Sequence, residues 1–158
     1  MALWRAEAIE RLPELRKTIE SGDSVMRLWI DLLYDFDKAY EREPRNESLI
    51  ARIYSFADWC VAAPRGPDAS HDPLSAVAVC FYEHVPRQKR SRDDMPRWFL
   101  ASEVEFGRST FSYLLEPEEF VDLLKHQSQC ESIPRARGAD SRGAGGVGRH
   151  ELSERNHE

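Results

Sequence analysis

The most apolar part of the chain spans residues 72–85 and reads Asp72-Pro73-Leu74-Ser75-Ala76-Val77-Ala78-Val79-Cys80-Phe81-Tyr82-Glu83-His84-Val85. Asp72 can accept a hydrogen bond from an early helical N–H, and Pro73 suits the first helical position, where no N–H donor is needed. Residues 77–82 could instead form a buried strand, because valine and aromatic residues favour extended backbone. The Asp-Pro start and the length of the segment favour a helix. We therefore predict that residues 72–85 form the central core helix, with a strand as the alternative.

Amphipathic helices are predicted on both sides of this central segment. The second of them has the clearest periodicity, with an apolar stripe made of Val25, Leu28, Trp29, Leu32, Leu33, Phe36 and Tyr40. The other predicted helices span residues 3–20 with an interruption at Pro13, residues 46–63, residues 98–115 with a break near Gly107, and residues 116–127. The pattern predicts an all-α fold, a compact bundle of five to seven helices, with residues 1–127 as a single helical domain.

The composition changes at Ser128. Residues 128–158 contain five glycines, five arginines and few bulky aliphatic side chains. Such a segment cannot bury enough apolar surface to offset the entropy of ordering it. We predict that residues 128–158 form a disordered Gly/Arg-rich tail.

Charge and cysteine content limit the class of protein. The net charge is −6, which argues against nucleic acid as a main partner, since phosphate binding needs a basic surface. No apolar run approaches the roughly 18 residues that a membrane-spanning helix needs, and the early charges Arg5, Glu7 and Glu10 leave no room for the apolar core of a signal peptide. The three cysteines are odd in number and have no paired spacing. We expect a cytoplasmic protein without a membrane segment.

One candidate polar site lies at the end of the central segment. Glu83 and His84 could act as acid and base, or could ligate a metal together with His71. Adjacent helical residues point about 100° apart, however, so the alternative is structural: a histidine at a helix end, and a glutamate paired with an arginine such as Arg97. No His pair at i, i+4 and no Cys-x-x-Cys spacing is present, so neither a metal nor a cofactor is predicted.

Two charged segments are candidate binding surfaces. Acidic side chains crowd the second helix and suggest a face that binds a protein partner: Asp31, Asp35, Asp37 and Glu41. Basic side chains crowd a predicted loop at residues 87–92 and could bind an anion: Arg87, Lys89, Arg90 and Arg92. The alternative for the basic loop is a solvated surface that balances the acidic helix.

Several short motifs carry a resemblance to a known family. They are Leu12-Pro13-Glu14-Leu15, Ile53-Tyr54-Ser55-Phe56-Ala57, Val79-Cys80-Phe81-Tyr82-Glu83-His84-Val85 and the Met95-Pro96 turn leading toward Leu114-Leu115. Over about residues 10–125 the chain resembles a family of small uncharacterised bacterial proteins grouped as a domain of unknown function. The resemblance implies an all-helical fold and brings no catalytic residue or cofactor. By analogy alone, small bacterial proteins of this kind suggest immunity or toxin-neutralising partners.

Two functions remain open at this point, ahead of a third, an adaptor that binds nucleic acid through the basic loop, which the net charge disfavours. The first is a non-catalytic protein-binding module, immunity-like, that covers a partner's basic surface with its acidic helix. The rival is a small helical enzyme or metal-binding protein built around Glu83 and His84. The sequence favours the first, because no catalytic motif is assembled.

Overall fold

The fold is entirely helical, as the sequence predicts. A computed structural model of the chain describes residues 1–131. These residues form nine α-helices and no strand: α1 (Leu3–Arg11), α2 (Arg16–Ser21), α3 (Val25–Glu41), α4 (Glu47–Ala62), α5 (Pro73–Val77), α6 (Lys89–Asp94), α7 (Ala101–Phe106), α8 (Arg108–Phe111) and α9 (Pro117–Gln129). The last helix runs two residues past the predicted boundary at residue 127. The tail is predicted to be disordered from residue 128. Its residues from 132 onward lie outside the described part of the chain.

Breaks within the predicted helices raise the helix count above the expected five to seven. A 3₁₀ turn at Pro13–Leu15 separates α1 from α2, and Gly107 separates α7 from α8, both at the positions that the sequence indicates. A Cβ at Gly107 would lie 2.9 Å from a ring carbon of Phe111, so the chain passes too close there for a larger residue.

The basic segment is mostly helical, and the prediction of a loop at residues 87–92 is wrong from Lys89 onward. Helix α6 begins at Lys89, and Lys89 forms an ion pair with Asp93 one turn later. The buried Ser91 hydroxyl donates to the Val85 carbonyl at 2.7 Å, which ties the start of α6 to the central segment. Charge density alone suggested a loop, whereas the i, i+4 pair and the serine contact favour a helix.

The central segment is a helix that widens in its second half. Asp72 caps α5 by accepting from the Ser75 N–H at 3.0 Å, as predicted. A π turn at Ala78–Tyr82 follows, in which the Glu83 N–H donates to the Ala78 carbonyl five residues earlier, at 3.1 Å. No strand forms there.

The core lies between α3, α4 and the central segment. Phe81 is fully buried, with its ring centroid 4.8 Å from those of both Trp29 and Phe36. Trp29 also stacks on Phe56 of α4 at 5.2 Å. Several apolar side chains within the predicted helices are nevertheless substantially exposed, among them Val61, Val79, Leu114 and Val121. In α9 the reason is local, because the inward stripe consists of Phe120, Leu123 and Gln127 and leaves Val121 outside it.

None of the helices described in residues 1–131 has the length and apolar character needed to cross a membrane.

Candidate functional site

The proposed polar site at the end of the π turn is not assembled from its three predicted members. His71 lies in the preceding loop, is exposed, and pairs through Nδ1 with Asp68 at 2.9 Å. Glu83 and His84 are half-buried, and no hydrogen bond or ion pair joins their side chains to each other or to His71 within residues 1–131. Burial raises the pKa of Glu83, while burial and then the nearby Arg87 lower the pKa of His84. Burial therefore makes the charged form of each side chain less favourable than it would be in water.

Arg97, one of the arginines that could have paired with Glu83, bonds to other carboxylates. Arg97 donates to Asp94 at 3.1 Å and to Glu47 at 3.1 Å. Among residues 1–131, no group of three or more His, Cys, Asp or Glu side chains is arranged to hold a metal ion. In the described part of the chain, Glu83 and His84 therefore belong to no group of three possible metal ligands.

Most cations of the predicted anion-binding segment are already partnered. Lys89 pairs with Asp93, Arg92 lies 3.8 Å from Glu119, and Arg90 donates to the Tyr40 carbonyl at 2.8 Å. Arg87 is exposed; its backbone N–H donates to the His84 carbonyl at 3.0 Å, and its side chain makes no hydrogen bond or ion pair within residues 1–131. The segment therefore fastens α6 to its neighbours more than it offers free positive charge to an anion.

A buried carboxylate that the sequence analysis missed organises this region. Asp94, at the end of α6, is only 8% exposed. Its Oδ2 accepts from the Tyr40 hydroxyl at 2.8 Å and from the Trp98 indole N–H at 3.0 Å. Its Oδ1 accepts from Arg97 at 3.1 Å and from Arg45 at 3.4 Å. We call Asp94 and these four donors the Asp94 cluster.

The Asp94 cluster joins parts of the chain that are distant in sequence. Tyr40 ends the buried stripe of α3, Arg45 precedes α4, and Trp98 follows α6. Burial, followed by the Asp94 charge, raises the pKa of Tyr40, so its hydroxyl stays protonated as a donor. Because four donors from separate parts of the chain converge on one carboxylate, the cluster serves to hold α3, α4 and α6 together.

A cleft of about 400 Å³ opens beside the cluster, and its wall is formed by Tyr40, Arg42, Glu43, Arg45, Arg90 and Asp93. Arg45 and Arg90 in this wall already bond to carboxylates or to a carbonyl, and Glu43 lies 3.6 Å from Arg90. Much of the positive charge in the wall of the cleft is therefore balanced by neighbouring carboxylates, so the cleft is a poor binding site for a free anion.

The four acidic residues of α3 lie on two flanks of that helix. Asp35 and Asp37 are two residues apart and so point about 200° away from each other around the helix. Burial and then the Asp31 carboxylate raise the pKa of Asp35, whereas burial and then Glu41 raise the pKa of Asp37 to about 6. Asp31 and Asp35 thus form one pair, and Asp37 and Glu41 form the other.

The flank with Asp37 and Glu41 also carries two large exposed apolar side chains, which the sequence analysis left out. Ile30 is 51% exposed and Tyr34 is 65% exposed. At 100° per residue, Ile30, Tyr34, Asp37 and Glu41 lie within about 60° of one another along about three turns. We call these four residues the outer stripe of α3. The signal in the sequence was the i, i+4 spacing of Ile30 and Tyr34, away from the buried stripe.

Asp37 is the least satisfied carboxylate of the outer stripe. It is half-buried, and its carboxylate has no hydrogen bond or ion pair within residues 1–131. Glu41, by contrast, pairs with Lys38 at 3.0 Å, and the Lys38 ammonium lies 5.5 Å from the centre of the Tyr34 ring. An unpaired, partly desolvated carboxylate beside exposed apolar surface can be stabilised by a cation from another molecule.

Two of the cysteines are unsuited to nucleophilic chemistry. Burial raises the pKa of the Cys60 thiol to about 12, and burial and then Glu83 raise the pKa of Cys80. Both thiols stay protonated at neutral pH, which removes them as candidate nucleophiles near Glu83 and His84.

Comparison of the chain with protein-family models, with curated proteins and with solved structures finds no match. The family resemblance drawn from the short motifs stays a prediction.

Proposed function

We propose that the protein is a non-catalytic protein-binding module whose outer stripe of α3 binds a basic partner protein. The observation that carries the proposal is the unpaired Asp37 carboxylate next to the exposed side chains of Ile30 and Tyr34. Exposed tyrosine and isoleucine on successive helical turns offer the kind of apolar anchor that dominates binding energy at interfaces.

Charge selects the partner. The stripe ends in two carboxylates, and the opposite flank of α3 adds Asp31 and Asp35. An arginine or lysine placed against Asp37 would supply the donor that the carboxylate lacks, and would pair with a group whose water has already been partly removed. Acidic surface on both flanks also opposes pairing between two copies of this chain.

Such a surface suits a protein that covers the basic region of an enzyme, as an immunity or toxin-neutralising protein does. The rival function, catalysis at Glu83 and His84, has less support. In residues 1–131 no hydrogen bond joins the two side chains, and no group of three possible metal ligands includes them, so the acid–base pair that such catalysis uses is not formed.

The test is differential capture from an extract of the native host with the full chain as bait. Wild type, Tyr34→Ala and Val121→Ala are compared by quantitative mass spectrometry at low salt, with folding checked by circular dichroism. Val121 is a matched control, since it is 47% exposed on α9, away from the stripe. We expect a basic protein that wild type and Val121→Ala retain and that Tyr34→Ala loses.

The captured protein is then purified and titrated against each variant by calorimetry. Loss of the Tyr34 ring should weaken binding by about tenfold or more, and binding should weaken with added salt. The proposal fails if no protein separates Tyr34→Ala from wild type, or if the differential partner is acidic or is a nucleic acid.

A further inference from the structure

A cysteine and a histidine meet at the end of α9, far from the outer stripe in sequence. Cys130 lies four residues after His126, and its Sγ is 3.9 Å from the histidine Nδ1. Residues four apart share one face of a helix, which explains the contact. The other ring nitrogen of His126, Nε2, lies 3.1 Å from the Asp93 carbonyl oxygen of α6.

These two contacts fix the roles of the ring nitrogens. A backbone carbonyl can only accept a hydrogen bond, so Nε2 of neutral His126 carries the proton and donates it to Asp93. Nδ1 then presents its lone pair toward the Cys130 thiol. Nucleophile, base and a group that orients the base are thus aligned, which is the arrangement that activates a thiol.

A cleft opens on the His126 side of this pair, and Cys130 itself is partly exposed to solvent. His126 lines a cleft of about 420 Å³ between α6 and α9, together with Arg92, Asp93, Glu119, Asp122 and Leu123. Cys130 is only partly buried, whereas Cys60 and Cys80 are buried. Of the three thiols, Cys130 alone combines access to solvent with a basic nitrogen in contact.

We propose that Cys130 is a reactive thiol that undergoes thiol–disulfide exchange with low-molecular-weight disulfides, with His126 as its positioned base. Nδ1 of His126 takes the thiol proton, and the Cys130 sulfur attacks one sulfur of the disulfide. A new S–S bond forms as the old one breaks, and the leaving thiolate takes the proton back from the imidazolium. The products are a mixed disulfide on Cys130 and one free thiol.

This site is independent of the proposed binding surface on α3. It also differs from the residues that the sequence singled out, because Glu83 and His84 adjoin in sequence without bonding, whereas His126 and Cys130 bond across one helical turn. A protein that binds a partner through α3 would carry the thiol as a separate site of reversible modification.

The test follows the three cysteines of the full chain by mass spectrometry during reaction with 2-hydroxyethyl disulfide, a neutral probe. Cys130 should form its mixed disulfide at least tenfold faster than Cys60 or Cys80, and reductant should reverse it. In His126→Gln the side-chain amide can still donate to the Asp93 carbonyl but offers no base, so the Cys130 rate should fall about tenfold. The control His84→Gln removes a half-buried histidine elsewhere and should leave the rate unchanged.

Circular dichroism and added imidazole complete the design. In folded His126→Ala, millimolar imidazole should restore much of the lost rate, which a purely structural role of His126 would not allow. The proposal is overturned if His126→Gln reacts as fast as wild type, if imidazole does not rescue His126→Ala, or if Cys130 reacts no faster than the buried thiols.

Discussion

Asp94 and Asp37 are both carboxylates withdrawn from solvent, and the protein treats them in opposite ways. Asp94 accepts hydrogen bonds from Tyr40, Trp98, Arg97 and Arg45. Asp37, on the outer stripe of α3, accepts none within residues 1–131, and its pKa is raised to about 6. Burial alone therefore does not distinguish a structural carboxylate from one available for binding. The number of hydrogen-bond donors around the carboxylate does.

The difference separates structural residues from those that can serve binding. A buried charge with a full set of donors stabilises the arrangement of the elements that supply them, and removing it leaves those donors unpaired. A half-buried carboxylate without hydrogen-bond donors lowers the free energy of unfolding of the isolated protein. A cation from a partner can offset that loss when the complex forms. The predictions below test this contrast, beginning with the largest expected effect.

Removing the Asp94 carboxylate should destabilise the protein strongly. In Asp94→Ala the buried Tyr40 hydroxyl and Trp98 indole N–H lose their shared acceptor, while Arg97 keeps its bond to Glu47. We expect a loss of about 3 kcal/mol in the free energy of unfolding, measured by urea denaturation followed by circular dichroism.

The adjacent residue gives a matched control. Asp93 is exposed and pairs on the surface with Lys89. Asp93→Ala should cost no more than about 0.5 kcal/mol. Equal losses for Asp93→Ala and Asp94→Ala would show that the Asp94 cluster does not hold the helices together.

Whether the sequence could predict a carboxylate's role depends on how far along the chain its hydrogen-bond donors lie. Asp72 was identified as a helix cap because its acceptor role is satisfied by Ser75, three residues later. Asp94 was missed because Tyr40 and Arg45 lie 54 and 49 residues away. Local hydrogen bonds leave a pattern in sequence, whereas contacts of that range depend on how α3 and α6 pack, which periodicity alone does not supply.

The surface of α3 was predicted in part. Sequence proximity suggested one acidic face, and the helical repeat of 100° per residue divides it into two. That correction needed no structure, and neither did the placement of Ile30 and Tyr34 away from the buried stripe. The exposure of these side chains and the unpaired state of Asp37 depend on which elements pack nearby. The π turn that displaces Glu83 and His84 from an ideal helix also depends on tertiary packing.

Asp72 should show the acid sensitivity of a satisfied carboxylate. Hydrogen bonds from Ser75, the Gly66 N–H and Arg65 hold the pKa of Asp72 below its usual range. The stabilisation that follows is present above the unfolded pKa of about 3.9 and is lost as pH falls through the lower folded value. Asp72→Asn should lower the melting temperature by a few degrees at pH 7, and by less at pH 3.

Thermal melts between pH 7 and pH 3 measure this difference. Asp122→Asn removes an exposed carboxylate of α9 that lies 3.8 Å from Lys125, and its melting temperature should follow that of wild type across the range. A constant gap between Asp72→Asn and wild type at all pH values would mean that the charge of Asp72 contributes nothing.

Asp37 should show the opposite pH dependence, with a smaller magnitude. Because its folded pKa of about 6 lies above the unfolded value, the folded state binds the extra proton between about pH 4 and pH 6. The charged form therefore costs stability above pH 6, and this cost disappears as pH falls toward 4. Asp37→Asn should raise the free energy of unfolding by about 1 kcal/mol at pH 8, after allowance for solvent screening of a partly exposed group, and by almost nothing at pH 4.

Asp31→Asn makes the same charge change on the same helix, but it removes a carboxylate that pairs with Arg27 at 3.2 Å. This control should not stabilise the protein at pH 8. The same Asp37→Asn variant should bind the basic partner more weakly than wild type, since the cation loses its carboxylate. If Asp37→Asn is more stable than wild type in isolation but binds the partner more weakly, the unpaired carboxylate lowers stability and contributes to binding. If Asp37→Asn instead destabilised the protein at pH 8, Asp37 would belong with Asp94 among the structural carboxylates, and the contrast between the two regions would be lost.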